Sequence, residues 1–92
     1  MKKYVYVLKT NEVKPAKAYS SYESAKRAAK GMLSRREKKF SHIKDMKKLE
    51  STGLDREDIY SASLYTYKTW TNKPEETYTW FSVTISKVEL FA

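Results

Sequence analysis

Apolar side chains recur at two different periods along this 92-residue chain, and the change of period divides it into elements. Lys3 to Lys9 alternates and is rich in Tyr and Val, predicting a strand with Val5 and Val7 on one face and Tyr4, Tyr6 and Leu8 on the other. Asn11 to Ala18, which contains Pro15, predicts a loop with a short strand before Tyr19. Ser20-Ser21-Tyr22-Glu23 then places a glutamate three residues after a serine, the reciprocal arrangement that satisfies free amide donors at a helix start. Tyr22, Ala25, Ala28, Ala29, Met32 and Leu33 fall on one helical face, with Lys26, Arg27 and Lys30 outside it, so this face packs on a sheet.

Continuing the same wheel brings Arg36, Lys39 and Lys47 onto the apolar arc, so one straight helix cannot stay docked from Ser20 to Ser51. Ser34-Arg35-Arg36-Glu37 repeats the capping pattern, and Phe40, Ile43, Met46 and Leu49 follow at three-residue spacing, predicting a second helical segment that ends before Gly53. Asp55 to Asp58 adds one helical turn in this reading. Ile59 to Trp70 and Tyr78 to Phe91 read as strands joined by the polar Thr71–Thr77 loop, with Phe81, Val83 and Ile85 on one face of the second. The expected fold is α+β in the order β-α-α-β-β: an antiparallel sheet of three or four strands with one or two helices on one face. Phe81, Val83, Ile85, Val5 and Val7 meet the helix stripe, and the strand period sends Tyr4, Tyr6, Tyr78 and Trp80 outward, with Tyr65 and Tyr67 as neighbours.

Two glycines, two prolines and no repeat leave no linker, so residues 1–92 form one domain, of a size that buries only about 60 to 65% of its unfolded surface. Charge sharpens the picture. Residues 26 to 48 carry ten of the nineteen Lys and Arg side chains against Glu37 and Asp45, a local +8 that equals the formal charge of the whole chain. Such a field attracts phosphates or an acidic protein face. Lys26, Arg27, Lys30, Arg35, Arg36, Lys38, Lys39, Lys44, Lys47 and Lys48 are therefore candidate phosphate contacts, and neutralising about five phosphates of a duplex gives a salt slope near −4.5. The tyrosines and tryptophans, with Trp70 added, offer rings on which unpaired bases stack or on which a protein partner anchors. A helix packed on the sheet points its charges away from rings on the opposite face, so one ligand cannot easily use both.

The catalytic inventory is poor: no cysteine, a lone His42 with no orienting partner, and scattered carboxylates. Asp55, Glu57 and Asp58 have Arg56 among them and no EF-hand spacing, so a capping turn is the better reading, and neither a metal nor a cofactor is expected. Lys3-Tyr4-Val5-Tyr6-Val7-Leu8-Lys9 resembles the opening strand of the GIY-YIG nuclease family, but over those seven residues only, and no catalytic role is carried over. The apolar run Tyr4–Leu8 is too short for a signal-peptide core or a membrane span, and the alanine-rich helix face offers little area for insertion, so a cytoplasmic protein without a membrane partner is expected.

The leading expectation is a non-enzymatic binding protein whose basic segment engages nucleic acid or a nucleoprotein. The alternative is an inhibitor or adaptor, such as a phage-type modulator of a host or defence enzyme, that meets an acidic or nucleic-acid-binding protein through basic and aromatic residues. Exposed rings also allow self-association as a homodimer.

Overall fold

In a computed structural model, residues 3–52, 59–73 and 75–91 are described. The elements run β1 (Lys3–Thr10), β2 (Lys17–Tyr19), α1 (Tyr22–Lys39), β3 (Lys47–Thr52), β4 (Ile59–Tyr67) and β5 (Thr77–Leu90). The five strands form one antiparallel sheet in the order β2-β1-β5-β4-β3, with α1 across one face. The α+β class stands, with five strands and one helix among the described residues where three or four strands and one or two helices are predicted.

Central β5 sets the shape. Its fourteen residues span about 46 Å, and the molecule measures 52 × 24 × 21 Å. The eighteen residues of α1 reach only about 27 Å, so the helix covers part of one face and leaves both ends of the sheet beyond it.

Ser21 caps the helix, its hydroxyl accepting from the Ser24 amide at 3.2 Å. The start thus falls one residue later than the Ser20/Glu23 spacing predicts, and Glu23 instead lies in the first turn, where negative charge is favoured. The docked face is small: Ala25 and Ala29 are fully buried, with Tyr22 and Leu33 at either end. The sheet supplies the bulk in return, as Tyr60, Leu64, Phe81, Val83, Ile85 and Leu8 rise into the space that the alanines leave.

Strand β1 faces the opposite way from its predicted orientation. Leu8 pairs with Ile85 and both are buried, which puts Tyr6 and Tyr4 on the helix side and Val5 and Val7 on the open side. The Tyr6 ring meets Tyr22 edge-on at 5.8 Å, and Tyr4 lies under the Lys87 ammonium at 4.3 Å. Both faces of Tyr-Val-Tyr-Val-Leu are apolar, so alternation alone carries no sign. Leu8 takes the core opposite Ile85, and the period of two then carries Tyr6, partly buried, and Tyr4, exposed, to the same side.

The predicted second helix is absent. The chain turns after Phe40, with Phe40 N–H donating to Arg36 O at 2.9 Å and Ile43 N–H to Phe40 O at 2.9 Å. Asp45, at φ 63°, then redirects it into β3. At about 100° per residue, a three-residue spacing steps backward by about 60° each time. Phe40, Ile43, Met46 and Leu49 therefore sweep half the circumference and define no stripe. As a strand, Lys47–Thr52 gains a full ladder with β4. Ser34–Glu37 lies inside the continuous helix, and β4 stops at Tyr67, three residues short of Trp70. The Asp55–Asp58 turn falls outside the described residues.

Across the helix side, the buried Tyr60 hydroxyl donates to Glu50 Oε1 at 2.7 Å, which ties β4 to β3. This hydrogen bond, aided by Lys48, Lys30 and Lys26, holds the Glu50 carboxyl below its usual value, while burial and then Glu50 itself push the Tyr60 phenol far up, so it stays a donor. A depressed carboxylate stabilises the fold above its unfolded pKa and loses that contribution as pH falls through the folded value. Tyr60→Phe should therefore cost about 1.5 kcal/mol at pH 7, lowering Tm by about 6–12 °C. Thermal unfolding should show the deficit shrinking below pH 4.5, the ordinary value for Glu50; a deficit unchanged between pH 7 and pH 3 would contradict this account.

Candidate nucleic-acid interface

Helix α1 carries Lys26, Arg27, Lys30, Arg35, Arg36, Lys38 and Lys39 against Glu23 and Glu37, a local +5. The fold sorts these cations into two rows. Inner-row side chains are already engaged: Arg36 pairs with Glu12 and lies 5.3 Å from the Phe81 ring centre, Lys30 reaches Glu50 at 4.0 Å, and Lys26 lies over the Tyr22 and Tyr60 rings. From β3, Lys48 bridges Glu37 at 3.3 Å and Glu50 at 3.7 Å. Every ion pair among the described residues uses one of three carboxylates, Glu12, Glu37 or Glu50.

The outer row is left unneutralised. Arg27, Arg35, Lys38 and Lys39 are exposed and have no acidic partner among the described residues, and the same holds for Lys44 in the turn and Lys47 on β3. Arg27, Ser34, Arg35 and Lys38 share one ridge on the helical wheel, and Gly31 lies in its middle. Internal packing does not require that glycine: an added Cβ would meet only the flexible Arg35 Nη1 at 3.5 Å, an ordinary contact. A mid-helix glycine costs about 1 kcal/mol relative to alanine. On a basic ridge, the missing side chain lets a flat or extended ligand backbone approach the helix closely.

The aromatic residues do not form the predicted outer sheet. Only Tyr65 and Tyr67 face the open side, edge to face at 5.7 Å, with Lys47 over Tyr67 at 5.6 Å. A hydrogen bond with Tyr67 raises the Tyr65 phenol above its ordinary value. The centre of that face is instead a field of hydroxyls, where Thr84, Ser61 and Ser51 lie abreast and Ser82 lies beside Ser63. Trp70 stands exposed in the loop after β4, with Lys68 over its ring at 5.6 Å.

Tyr78 and Trp80 lie on the helix side because of a β-bulge. Leu64 pairs with Phe81 and Tyr65 with Thr79, so Trp80 is the extra residue, and strand alternation reverses at this point. The Trp80 indole N–H donates to Thr66 Oγ1 at 3.0 Å, and its ring lies 5.8 Å from Phe40, the residue that caps the helix, and 4.7 Å from Tyr78. Tyr78 is 58% exposed and Trp80 37%. The predicted conflict between charges and rings is thereby removed for these two residues. They continue the helix side where α1 ends, with Trp80 against Phe40, over whose ring Lys39 Nζ lies at 6.0 Å.

The ten basic residues and the rings were visible as residue types. The sequence carries no signal for the pairing of three carboxylates with the inner row, nor for the bulge, which no glycine or proline marks in Thr77–Val83. His42 is an exposed turn residue. Among the described residues no group of three or more His, Cys, Asp or Glu side chains could hold a metal, and no helix is long and apolar enough to cross a membrane.

If Gly31 is kept for a ligand and not for the fold, Gly31→Ala should stabilise the free protein by about 1 kcal/mol, raising Tm by about 4–8 °C in differential scanning calorimetry. A lowered Tm would mean that the fold itself needs the glycine. No family model matches this chain, and neither a curated protein nor a solved structure matches it.

Proposed function

We propose that this protein is a non-enzymatic nucleic-acid-binding module that holds a strand with unpaired bases on its helix side. The observation that carries the reading is the two-row arrangement of α1: Glu12, Glu37 and Glu50 pair with inner cations, while Arg27, Arg35, Lys38 and Lys39 face outward without acidic partners among the described residues. Fixed cations along one ridge contact phosphates irrespective of sequence. At the end of the ridge, the exposed Tyr78 and Trp80 rings give unpaired bases a stacking platform, worth about 1–3 kcal/mol per base. A duplex would meet the ridge but leave the rings unused.

A second reading, a protein partner, is favoured by the open face. There Val5 lies beside Val88 and, with Val7, Leu90 and Ile59, forms an apolar end on a sheet face that no helix covers among the described residues. In that case free nucleic acid binds weakly at physiological salt.

Fluorescence anisotropy with labelled single-stranded and duplex DNA and RNA across a salt series separates these readings. Four phosphate contacts on a single strand give a slope of about −2.8 in log affinity against log salt. Replacing Arg27, Lys38 and Lys39 together with Gln should reduce its magnitude by about 2. Tyr78→Ala should weaken the single strand by about 1–3 kcal/mol and leave the duplex unchanged. An unaltered slope in the triple variant would remove the ridge from the site, and equal losses for both substrates in Tyr78→Ala would remove stacking.

A further inference from the structure

Beside the ridge, a cavity of about 470 Å³ opens between α1 and the segment that joins β1 to β2. That volume lies within the range of about 300–1,000 Å³ typical of small-ligand pockets. Its walls have two chemistries. Leu8, Met32, Pro15 and Phe81 make an apolar side, and Lys14, Lys17 and Arg35 bring cations to it from the loop, β2 and α1.

The wall opposite the helix is held in place. Asn11 exchanges two hydrogen bonds with the β5 backbone, its amide donating to Ser82 O at 3.2 Å and its side-chain oxygen accepting from Ser82 N at 3.1 Å. Glu12 N–H donates to Thr10 Oγ1 at 3.3 Å, and the Glu12 carboxylate clasps Arg36 across the cavity. Arg36 in turn lies against Phe81. The slot is therefore built into the fold and does not depend on a ligand to form.

We propose that this cavity is a nucleotide pocket, which takes an aromatic base against Met32 and Pro15, with the buried Leu8 and Phe81 behind them, and the attached phosphate on Lys14, Lys17 and Arg35. A flat ring suits a slot lined by a thioether and a guanidinium, both of which favour aromatic faces. Lys17 and Arg35 have no acidic partner among the described residues and Lys14 has only Glu12, at 3.9 Å, so the lining favours an anionic group on the ligand. Glu12 gives the ring a preferred edge: its carboxylate is engaged by Arg36 and lies 3.9 Å from Lys14, yet its remaining lone pairs can accept from a base amine. The shared chemistry is a base with an adjoining phosphate, from either a free mononucleotide or the end of a strand lying on the ridge. For the strand, the inference rests on the proposed function; for the free nucleotide it rests on the cavity alone, because Lys14 and Lys17 belong to neither the ridge nor the ring cluster.

The test is amide chemical-shift mapping of the full chain, titrated separately with adenosine monophosphate, inosine monophosphate, adenosine, inorganic phosphate and a short 5′-phosphorylated strand. The expected result is a shift cluster on residues 8–17, 32–36 and 81–82, with adenosine monophosphate binding at least about tenfold tighter than adenosine or phosphate. Lys14→Gln with Lys17→Gln should abolish that preference, while the Arg27, Lys38 and Lys39 triple Gln variant should keep it even if strand binding by the ridge is lost. Shifts at the pocket from the strand but not from the free nucleotide would identify the strand end as the ligand. Equal affinity for inorganic phosphate, or no pocket shift with any nucleotide or strand, would overturn the proposal. Inosine monophosphate, which carries a carbonyl in place of the amine, should bind more weakly; equal affinity would overturn the role given to Glu12.

Discussion

Ala25 and Ala29 touch the sheet with no side chain beyond Cβ, and this close contact decides what the rest of the molecule can be. A helix with so thin an apolar face contributes little area of its own, so the sheet must supply the volume through Tyr60, Phe81, Leu64 and Ile85. Those residues come from β4 and β5, which makes the two longest strands neighbours at the heart of the fold. Only one face of each strand is used up in this way. The other face, which no helix covers among the described residues, carries serine and threonine at its centre, between Tyr65 and Tyr67 towards one end and Val5, Val88 and Ile59 towards the other, and those hydroxyls can face water at no cost.

The same contact fixes the electrostatics. Docking through Ala25, Ala29 and Leu33 points Arg27, Arg35 and Lys38 straight outward and turns Lys26, Lys30 and Arg36 along the flanks, where carboxylates from β3 and the β1–β2 loop can reach them. Exposed pairs of this kind add little to stability individually. Their effect here is spatial: they use up acidic groups on the flanks and leave the crest of the helix as the place where positive potential collects.

The helix, its apolar stripe and the β4–β5 hairpin were legible in the sequence, because each rests on a local rule: a serine cap, a 3.6-residue period, or alternation about a polar loop. Three features were not. The facing of β1 is undetermined when Tyr4, Tyr6 and Leu8 compete with Val5 and Val7, since no polar residue breaks the tie and only tertiary pairing decides it. The three-residue spacing over β3 imitates a helical stripe, although without intervening four-residue steps it winds round the axis; its strand state depends on the waiting edge of β4. The bulge at Trp80 leaves no local mark, since it arises from pairing with Leu64 and Tyr65 fifteen or so residues earlier. Of the candidate site, the charge could be read directly, but which cations are free depended on contacts between residues as distant as Glu12 and Arg36.

Trp80 is a single residue out of step, and this makes chain length, not side-chain chemistry, the variable that assigns rings to faces at that end of the sheet. Removing Trp80 would bring the ladder back into simple alternation with Tyr78 still opposite Thr66 on the helix side, whereas removing Thr79 would place Trp80 opposite Tyr65 on the hydroxyl side. A lineage carrying this fold could thus exchange the surfaces that it presents by a single codon deletion, with the core of Phe81, Val83 and Ile85 left as it is.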